Sequence, residues 1–337
     1  MQDKYITLAH GNGGRFMRSL IEDIFARHLS NDTLDIQGDA TRLPDIDGQL
    51  LFSVDGFTVQ PLEFPGGNIG SLAVHGTVND LAVSGATPLY LSLSAIIEEG
   101  LEFELLDRLV KSIAEAADQA GVKVVTGDTK VVPHGHGGGV YFTTSGIGSK
   151  QADVELGLQQ VQPGDKILVS GSVGDHGTCV MLAREEFGLS GDLQSDSACV
   201  LPLTSSIIDI PGLHFMRDPT RGGLATVAHE IATATGHSVR LIEPAIPVKD
   251  PVRSVCEMLG YDPFYLACEG RVVAIASAQA ADEILAQWQA LADGRQAAII
   301  GQVEQQDVAS GHVILVTELG GERLLDELED DPLPRIC

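Results

Sequence analysis

Hydrophobic residues in this chain follow strand-like and helix-like spacing in two successive blocks, and this pattern limits the fold more than any other sequence feature. In the first block the spacing predicts strands at Leu50–Val54, Leu89–Ile97, Val122–Thr126 and Val140–Ile147, and helices at Ile69–Ser84 and Phe103–Ala120. A polar, irregular stretch from Lys150 to Pro163 follows. Such a stretch between two patterned blocks indicates a domain boundary.

The second block is also a mixture of strands and helices. Its predicted strands are Lys166–Ser170, Val239–Ile242, Val272–Ala276, Ala297–Val303 and His312–Thr317, and its predicted helices are Thr178–Glu186, Leu224–Thr235, Val252–Leu259 and Ala280–Ala292. The strands do not alternate with helices regularly enough for a doubly wound sheet. We therefore expect an α+β or mixed α/β fold, and 337 residues suffice for two compact domains.

Charge and composition exclude several classes of function. The formal net charge of −26 would repel a phosphate backbone, so nucleic acid and anionic membranes are disfavoured as partners. The N-terminus carries neither a basic leader nor an apolar run, and no apolar stretch approaches the ~20 residues of a membrane helix. We therefore expect a soluble, cytoplasmic protein.

The five cysteines include one at an unusual position. They are Cys179, Cys199, Cys256, Cys268 and Cys337, an odd number without CxxC spacing, which argues against a disulfide framework or a structural zinc site. The first four lie in apolar or helical contexts and are expected to fill the core. Cys337 is the last residue, after PLPRI, where its thiol could be modified by one protein and processed by another; the alternative is an ordinary frayed end.

Four aspartates occur where strands or helices are expected to end. They are Asp55 in SVDGF, Asp80 in NDLAVSGA, Asp128 in GDTK and Asp218 in RDPTRGG. Carboxylates on short loops commonly hold Mg²⁺ when a nucleotide supplies the other oxygens, and Lys130 and Arg221 could neutralise a transferred phosphoryl group. The alternative is that an Asp-Gly pair such as Asp55-Gly56 forms only a turn.

Glycine-rich segments provide two further candidate anion sites. HGNGG, which ends in Gly13 and Gly14, precedes a predicted helix at Arg15–Ala26, and GSVGDHG lies between a strand and a helix. Each could equally be a flexible lead or a simple cap. There is no P-loop, and no G-x-G-x-x-G opens a helix after a strand, so a nucleotide would bind through another architecture. His134 and His136, in PHGHGGG, are expected to be solvated loop residues.

These motifs together resemble a known family. LAHGNGG, FPGGNIG, GTVNDLAVSGA, VTGDTKVV, SGSVGDHG, RDPTRGGL and PLPRIC occur in the order found in the hydrogenase maturation protein HypE family, from His10 to Cys337. That family belongs to the ATP-binding superfamily of aminoimidazole ribonucleotide synthetase (PurM). The resemblance implies a two-domain PurM-like fold, divided into a lead at 1–36, an ATP-binding and dimerisation domain at 37–150, a larger α/β domain at 151–318 and an acidic, flexible tail at 319–337.

The resemblance also implies an activity and partners. In the family, a carbamoyltransferase (HypF) places a carbamoyl group on the terminal cysteine, here Cys337. ATP, with Mg²⁺, then drives dehydration of this thiocarbamate to a thiocyanate. The cyanide passes to iron held by HypC and HypD, for the metal centre of [NiFe] hydrogenase. A homodimer formed through the N-terminal sheets is also implied.

Residue roles follow from the resemblance as well. It implies Asp55, Asp80, Asp128 and Asp218 as metal ligands, and Gly13, Gly14, Asn79, Asp80, Asp128, Thr129, Lys130 and Arg221 as nucleotide contacts. Lys130 is placed near the phosphates or the carbamoyl oxygen. Glu269 is the candidate general base, although its segment CEGR departs from the family's NEGK-like pattern at Cys268 and Arg271. The alternative for Glu269 is a solvated loop carboxylate.

Two other functions are compatible with the residues. One is a different reaction of the superfamily, such as an amide-activating synthetase or a small-molecule kinase acting on a free substrate. The other is a non-enzymatic carrier or scaffold that docks to a partner through Cys337.

Overall fold

The computed structural model describes residues 4–36, 38, 40–151, 154–184, 191–305 and 311–328. The chain divides into two compact units. The N-terminal unit contains residues up to Leu81 together with Ala86–Gln151, and the C-terminal unit contains Ala82–Gly85 and the described residues beyond Gln151. Each unit has its own sheet, and each is described separately.

The N-terminal unit is built on a four-stranded sheet in the order β1-β6-β4-β5. Strands β4 and β5 are parallel, and the other neighbouring pairs are antiparallel. A π-helical stretch, Ile21–Ala26, joins the first two helices. The elements are α1 (Arg15–Leu20), α2 (Arg27–Leu29), β1 (Gln49–Phe57), β2 (Glu63–Phe64), β3 (Gly67–Asn68), α3 (Ile69–Val83), β4 (Thr87–Glu98), α4 (Phe103–Ala120), β5 (Lys123–Val132) and β6 (Val140–Lys150).

The two faces of this sheet have different environments. On one face, Thr144 of β6 donates to the Ala73 carbonyl oxygen of α3 at 2.8 Å, so α3 packs directly on the strands. On the other face, Leu50, Phe52 and Val54 of β1 are exposed, with Phe52 at 70%. Alternation along a strand sends successive side chains to opposite faces, and here the outward-facing residues are apolar.

Helix α4 confirms its prediction at both ends, whereas β1 and β5 extend beyond theirs. The predicted turn at Asp55-Gly56 lies inside β1, and Asp128, which was expected at a strand end, lies within β5. The reason is tertiary: β6 and β4 are long enough to continue the hydrogen-bond ladder past these residues. Cross-strand pairing therefore overrides the local turn preference of the Asp-Gly and Gly-Asp pairs.

The C-terminal unit contains a seven-stranded sheet in the order β13-β12-β9-β11-β7-β10-β8. All neighbours are antiparallel except β12 and β9. None of the helices in the described part of the chain combines the length and apolar character that a membrane crossing needs. The elements are β7 (Lys166–Val169), α5 (Asp175–Ala183), α6 (Leu201–Ser205), β8 (Leu213–Arg217), α7 (Gly223–Thr235), β9 (Ser238–Ile242), α8 (Asp250–Leu259), β10 (Val273–Ala276), α9 (Ala278–Ala290), β11 (Ala298–Glu304), β12 (Val313–Val316) and β13 (Glu322–Leu324).

The beginning of the predicted tail belongs to this sheet, which corrects the expectation of a flexible segment from residue 319. Strand β13 pairs with β12, and Leu325 donates its backbone N–H to the Val313 carbonyl oxygen at 2.9 Å. The Tyr265 hydroxyl also donates to the Asp326 carbonyl oxygen at 2.6 Å. Residues 329–337, and Cys337 with them, lie outside the described residues.

Candidate functional site

A cavity of about 490 Å³ lies at the outer edge of β5 in the N-terminal unit. Its helical wall is apolar and includes Met17, Ile21 and Phe25. Its strand wall is more polar and includes Asp128 and Thr129. We refer to it as the β5-edge cavity; its lining residues are Met17, Ile21, Phe25, Ala26, Leu29, Leu34, Asp35, Ile36, Gly38, Leu93, Val124, Thr126, Gly127, Asp128 and Thr129. Its volume falls within the range of about 300–1,000 Å³ that is usual for small-molecule sites.

Asp128 and Lys130 form an ion pair on β5. The Lys130 Nζ lies 3.0 Å from Asp128 Oδ1 and 2.8 Å from Oδ2, and Oδ1 also accepts from the Thr129 backbone N–H at 2.8 Å. Both charged side chains are exposed, so their pairing contributes only about 0–1 kcal/mol to stability. The pair can therefore open at little cost when a phosphate or a cation approaches.

Asp55 and Asp80 lie on the opposite face of the sheet from Asp128. Asp55 pairs across β1 and β6 with Thr144, which faces α3, and Ser53, two residues earlier on β1, donates to Asp80 Oδ2 of α3 at 2.7 Å. Thr144 pairs in turn with Leu93 of β4, and Leu93 pairs with Gly127 of β5. Because successive residues of a strand face opposite sides of the sheet, Asp128, the residue after Gly127, points to the other face. The predicted metal ligands of this unit are therefore divided between two faces.

Two further predicted contacts lie near these groups. Asn79 of α3 is buried, at 2% exposure, immediately before Asp80. Gly13, with φ of +74°, and Gly14 precede α1, and the Gly13 N–H lies 3.2 Å from the Met17 sulfur. Because Met17 lines the β5-edge cavity, the HGNGG loop borders the cavity through this side chain.

The residues around the cavity fit a nucleotide that carries a metal ion. In the described part of the chain, no three His, Cys, Asp or Glu side chains are grouped so as to hold a metal ion by themselves. Mg²⁺ is usually bound through one or two carboxylates, with substrate phosphates and water completing its coordination. An apolar wall for a base, with the carboxylate of Asp128 on the strand wall, matches that requirement.

Replacing Gly127 by alanine is expected to weaken nucleotide binding about tenfold or more. A Cβ at this position would lie 2.3 Å from the Leu93 carbonyl oxygen, so β5 must move away from β4 beside the cavity. Overpacking of this kind forces a backbone shift, and a cavity wall that loses about 1.4 kcal/mol of interaction with the ligand binds it tenfold more weakly. Calorimetry with ATP measures the effect.

The matched control is Gly56→Ala. Its added Cβ meets only Thr143 Oγ1 at 3.8 Å, so the sheet should keep its stability and ATP should bind as in the wild type. Unchanged ATP affinity in Gly127→Ala would remove this edge of β5 from the nucleotide site.

The RDPTRGG and CEGR segments are neighbours in the C-terminal unit. Asp218 follows β8 and is buried at 7% exposure, whereas Arg221 is exposed. The Cys268 backbone N–H donates to the Pro219 carbonyl oxygen at 3.0 Å, which joins the two segments. Asp218 and Arg221 thus lie beside the loop that carries Glu269, in a different unit from Asp55, Asp80 and Asp128.

Glu269 is buried at 5% exposure, so it is not the solvated loop carboxylate considered as its alternative. Its backbone N–H donates to Asp196 Oδ1 at 3.4 Å, and its carbonyl oxygen accepts from the Ala198 N–H at 3.4 Å. A Cβ at the following Gly270 would lie 1.9 Å from the Asp196 carbonyl oxygen, so only glycine fits there. The loop of Glu269 is therefore held closely against residues 196–198.

Four charged side chains form an ion cluster next to this loop: Asp175, Asp196 and Arg271, which are buried or nearly so, and Lys249, whose side chain is 37% exposed. The Asp175 Oδ2 atom lies 2.7 Å from Lys249 Nζ and 3.7 Å from an Arg271 Nη atom, and it accepts from Ser172 Oγ at 2.5 Å. The Arg271 Nε atom lies 3.5 Å from Asp196 Oδ2. Burial raises the pKa of the Asp196 carboxyl, and the guanidinium of Arg271 opposes that rise.

Sequence reasoning missed this cluster. Asp175 belongs to GSVGDHG, a segment that the sequence offered as a candidate anion site. In the structure the Asp175 carboxylate instead forms an ion pair with Lys249 and accepts a hydrogen bond from Ser172. Asp196 is in a segment without glycines or periodicity, and its partner Glu269 is 73 residues away. No local signal marks such a contact.

The four described cysteines agree with their predicted role as core residues. Cys179, Cys256 and Cys268 are buried, and Cys199 is half-buried. Burial raises the pKa of the Cys179 thiol to about 11 and that of Cys256 to about 12, and it raises the pKa of Cys268 as well. These groups remain protonated thiols at neutral pH and are poor nucleophiles.

The C-terminal unit is expected to lose stability as the pH falls below about 6.5, because of His176. This side chain is buried in α5, with its Nδ1 2.8 Å from Ser195 Oγ, and burial lowers its pKa from 6.5 to about 3. Between these values the unfolded chain binds a proton that the folded chain does not. The free energy of unfolding should therefore fall by up to about 1.4 kcal/mol per pH unit.

The fluorescence of Trp288 reports this effect, because it is the single tryptophan of the chain and is fully buried in the C-terminal unit. Urea unfolding is followed at pH 7, 6 and 5 for the wild type, His176→Gln and the control His134→Gln, which alters a side chain that is 85% exposed. The slope should flatten only in His176→Gln. An equal slope in all three proteins would contradict the assignment.

Comparison with known proteins agrees with this architecture. Residues 37–149 match the N-terminal domain of AIR synthase related protein, and residues 162–314 match its C-terminal domain. The chain is 47% identical over 335 residues to carbamoyl dehydratase HypE of Azotobacter vinelandii, covering 98% of this chain and 97% of that protein. The structure of hydrogenase maturation protein HypE in complex with ATP superposes with a TM-score of 0.93 at 44% identity, covering 98% and 99% of the two chains. The HypE-HypF complex gives a TM-score of 0.79 at 41% identity, with 91% and 99% covered.

The paired domains, each with its own sheet, define the architecture of an AIR synthase related protein, as the PurM-like prediction stated. Identity near 45% over almost the whole length narrows the class further. The chain belongs to the carbamoyl dehydratase HypE family of hydrogenase maturation proteins.

Proposed function

We propose that this chain is an ATP-dependent carbamoyl dehydratase that acts on its own Cys337. The observation that carries the proposal is the 47% identity to a carbamoyl dehydratase HypE over 98% of this chain. The β5-edge cavity adds a physical reason, since its volume is that of a small-molecule site. The product would be a thiocyanate on Cys337, from which cyanide is supplied to the iron centre of [NiFe] hydrogenase.

The β5-edge cavity is the proposed ATP site. Its apolar helical wall would take the base, and the carboxylate of Asp128 would meet the metal ion that accompanies the phosphates. Asp128 and Thr129 line this cavity and Lys130 pairs with Asp128, and these three residues, with Gly13 and Gly14, are the contacts proposed for it. The other predicted nucleotide contacts, Asn79, Asp80 and Arg221, and the other predicted Mg²⁺ ligands, Asp55, Asp80 and Asp218, do not line the cavity and stay predictions. The solved ATP complex of a HypE protein that is 44% identical to this chain supports ATP as the ligand.

Three residues have proposed roles in the reaction. Cys337 Sγ holds the carbamoyl carbon throughout. Bound Mg·ATP would supply the phosphoryl group that converts the carbamoyl oxygen into a phosphate leaving group. Lys130, released from Asp128, would neutralise charge on that oxygen. One N–H proton is lost to water when the carbamoyl oxygen is phosphorylated, and Glu269 would accept the second as phosphate leaves and the C≡N bond closes. The thiocarbamate and ATP thus yield thiocyanate, ADP, phosphate and a proton.

The proposed partners are a carbamoyltransferase of the HypF kind and an iron-carrying HypC–HypD complex. The solved HypE-HypF complex, whose HypE chain is 41% identical to this one, supports the first of these. A transferase of this kind must act before the dehydration, because the thiocarbamate is its substrate.

A homodimer is also proposed, formed through the outer face of the N-terminal sheet. The support is the row of exposed apolar side chains on β1, namely Leu50, Phe52 and Val54, with Ile96 of β4 exposed as well. Exposed apolar side chains grouped on one face commonly mark an interface. A second copy of the same face offers a matching apolar surface.

The test is the intact mass of the protein after incubation with its carbamoyltransferase and carbamoyl phosphate, before and after addition of Mg·ATP. A carbamoyl adduct on the C-terminal peptide should lose the mass of one water only when Mg·ATP is present. Without any adduct on Cys337, the protein would instead be a synthetase or kinase with a free substrate. An adduct that never loses water and releases no phosphate would indicate a carrier.

A further inference from the structure

We infer that Asp196 is the positioning residue for Glu269 in the proposed dehydration. This inference rests on the proposed function, in which Glu269 accepts a proton. Asp196 itself touches no substrate, because its side chain is completely buried. It acts by fixing the backbone from which Glu269 projects.

The geometry shows a clamp with Asp196 at its centre. One oxygen, Oδ1, accepts from the backbone N–H of His176 at 3.0 Å and from that of Glu269 at 3.4 Å. A single carboxylate therefore joins the first turn of α5 to the Glu269 loop. The backbone of the next residues completes the clamp, since the Ala198 N–H donates to the Glu269 carbonyl oxygen at 3.4 Å.

Arg271 holds Asp196 in its place. Its guanidinium is 11% exposed and lies between two carboxylates, with Nε 3.5 Å from Asp196 Oδ2 and an Nη atom 3.7 Å from Asp175 Oδ2. Nε also donates to the Ser172 carbonyl oxygen at 3.0 Å. Arg271 is two residues after Glu269, so the loop contacts the Asp196 carboxylate both through the Glu269 N–H and through the Arg271 side chain.

A misplaced general base loses most of its effect, because a shift of about 1 Å can cost about a hundredfold in rate. The positioning role therefore differs from simple stabilisation in one measurable way. If Asp196 acts only through Glu269, its loss has no further effect once Glu269 has lost its carboxylate. A general weakening of the fold would instead add to every other loss.

The experiment is a double-mutant cycle in full-length, carbamoylated protein, with single-turnover conversion measured by quenched mass spectrometry at saturating Mg·ATP. The proteins are the wild type, Asp196→Ala, Glu269→Gln and the double variant. Asp196→Asn keeps an acceptor oxygen, so its conversion rate should fall less than that of Asp196→Ala.

The control is Asp165→Asn, which alters another buried carboxylate of the same unit; that carboxylate contacts His214 and accepts from the Gln162 N–H. If Asp196→Ala does not fold, as judged by Trp288 fluorescence, Asp196→Ser replaces it.

Asp196→Ala should convert about a hundredfold more slowly, with ATP affinity unchanged, and the double variant should match Glu269→Gln. Multiplying losses in the double variant would overturn the inference. Wild-type rate in Glu269→Gln would overturn it too, while the proposed reaction itself would stand.

A second measurement does not depend on the reaction. Hydrogen exchange of the peptide spanning residues 264–272 should be about tenfold or more faster in Asp196→Ala and unchanged in Asp165→Asn. If the wild type shows no conversion, the proposed function fails, and this measurement still decides whether Asp196 holds the loop. Unchanged exchange in Asp196→Ala would overturn the inference on its own.

Discussion

Cys337→Ala is expected to form no thiocyanate at all, while ATP binds as in the wild type. The carbamoyl carbon needs a sulfur atom, and the alanine variant offers none at this position. The four described cysteines are poor substitutes, because three are buried with pKa values raised by burial and Cys199 is half-buried, also with a raised pKa. Mass spectrometry of the C-terminal peptide and a cyanide assay measure the loss.

The matched control is Cys199→Ala, which removes a thiol that is partly accessible in the C-terminal unit. It should form thiocyanate at the wild-type rate. Wild-type cyanide formation by Cys337→Ala would refute the proposal and point to a free substrate. Loss of ATP affinity in the same variant would give Cys337 a role in nucleotide binding that the proposal does not include.

Glu269→Gln is expected to slow the dehydration by about 10²–10⁴-fold, the usual contribution of a general base. The substitution keeps the size of the side chain but removes its ability to accept a proton. Its backbone contacts with Asp196 and Ala198 are kept, so the fold should be preserved. Single-turnover rates across a range of pH measure the effect.

The pH profile gives the sharper contrast. In the wild type the carboxylate of Glu269 takes the proton, so the rate should depend little on the hydroxide concentration. The rate of Glu269→Gln should continue to rise with pH, because hydroxide must take the place of the missing base. A profile of the same shape in both proteins, or a loss below about tenfold, would contradict the role of Glu269.

The success of individual sequence predictions depended on how local their cause was. Helix α4 was predicted at both ends, because its apolar spacing and the terminating Gly121, with φ of +70°, are contained within the segment. The ends of β1 and β5 were not, because their partner strands decide how far the ladder continues. For the same reason Asp55 and Asp128 were expected on loops but lie within strands.

The candidate site shows the same division. Sequence motifs selected Asp80, Asp128, Lys130 and Glu269 as residues of interest, and each has a defined place in the structure. Asp196 and Arg271 could not be assigned their contacts in this way. Their contacts form only when Asp175, Asp196 and Arg271, which are far apart in the chain, are buried next to one another.

The sequence alone determined the class of the fold, the family and the short list of chemically capable residues, with Cys337 among them. These conclusions rest on periodicity and motifs, which are properties of short segments. The tertiary structure decided which face of the sheet each aspartate occupies, where the β5-edge cavity forms and which carboxylates are buried together. Such features arise from strand pairing and burial between distant segments, and the free energy that fixes them is not contained in any one stretch of the chain.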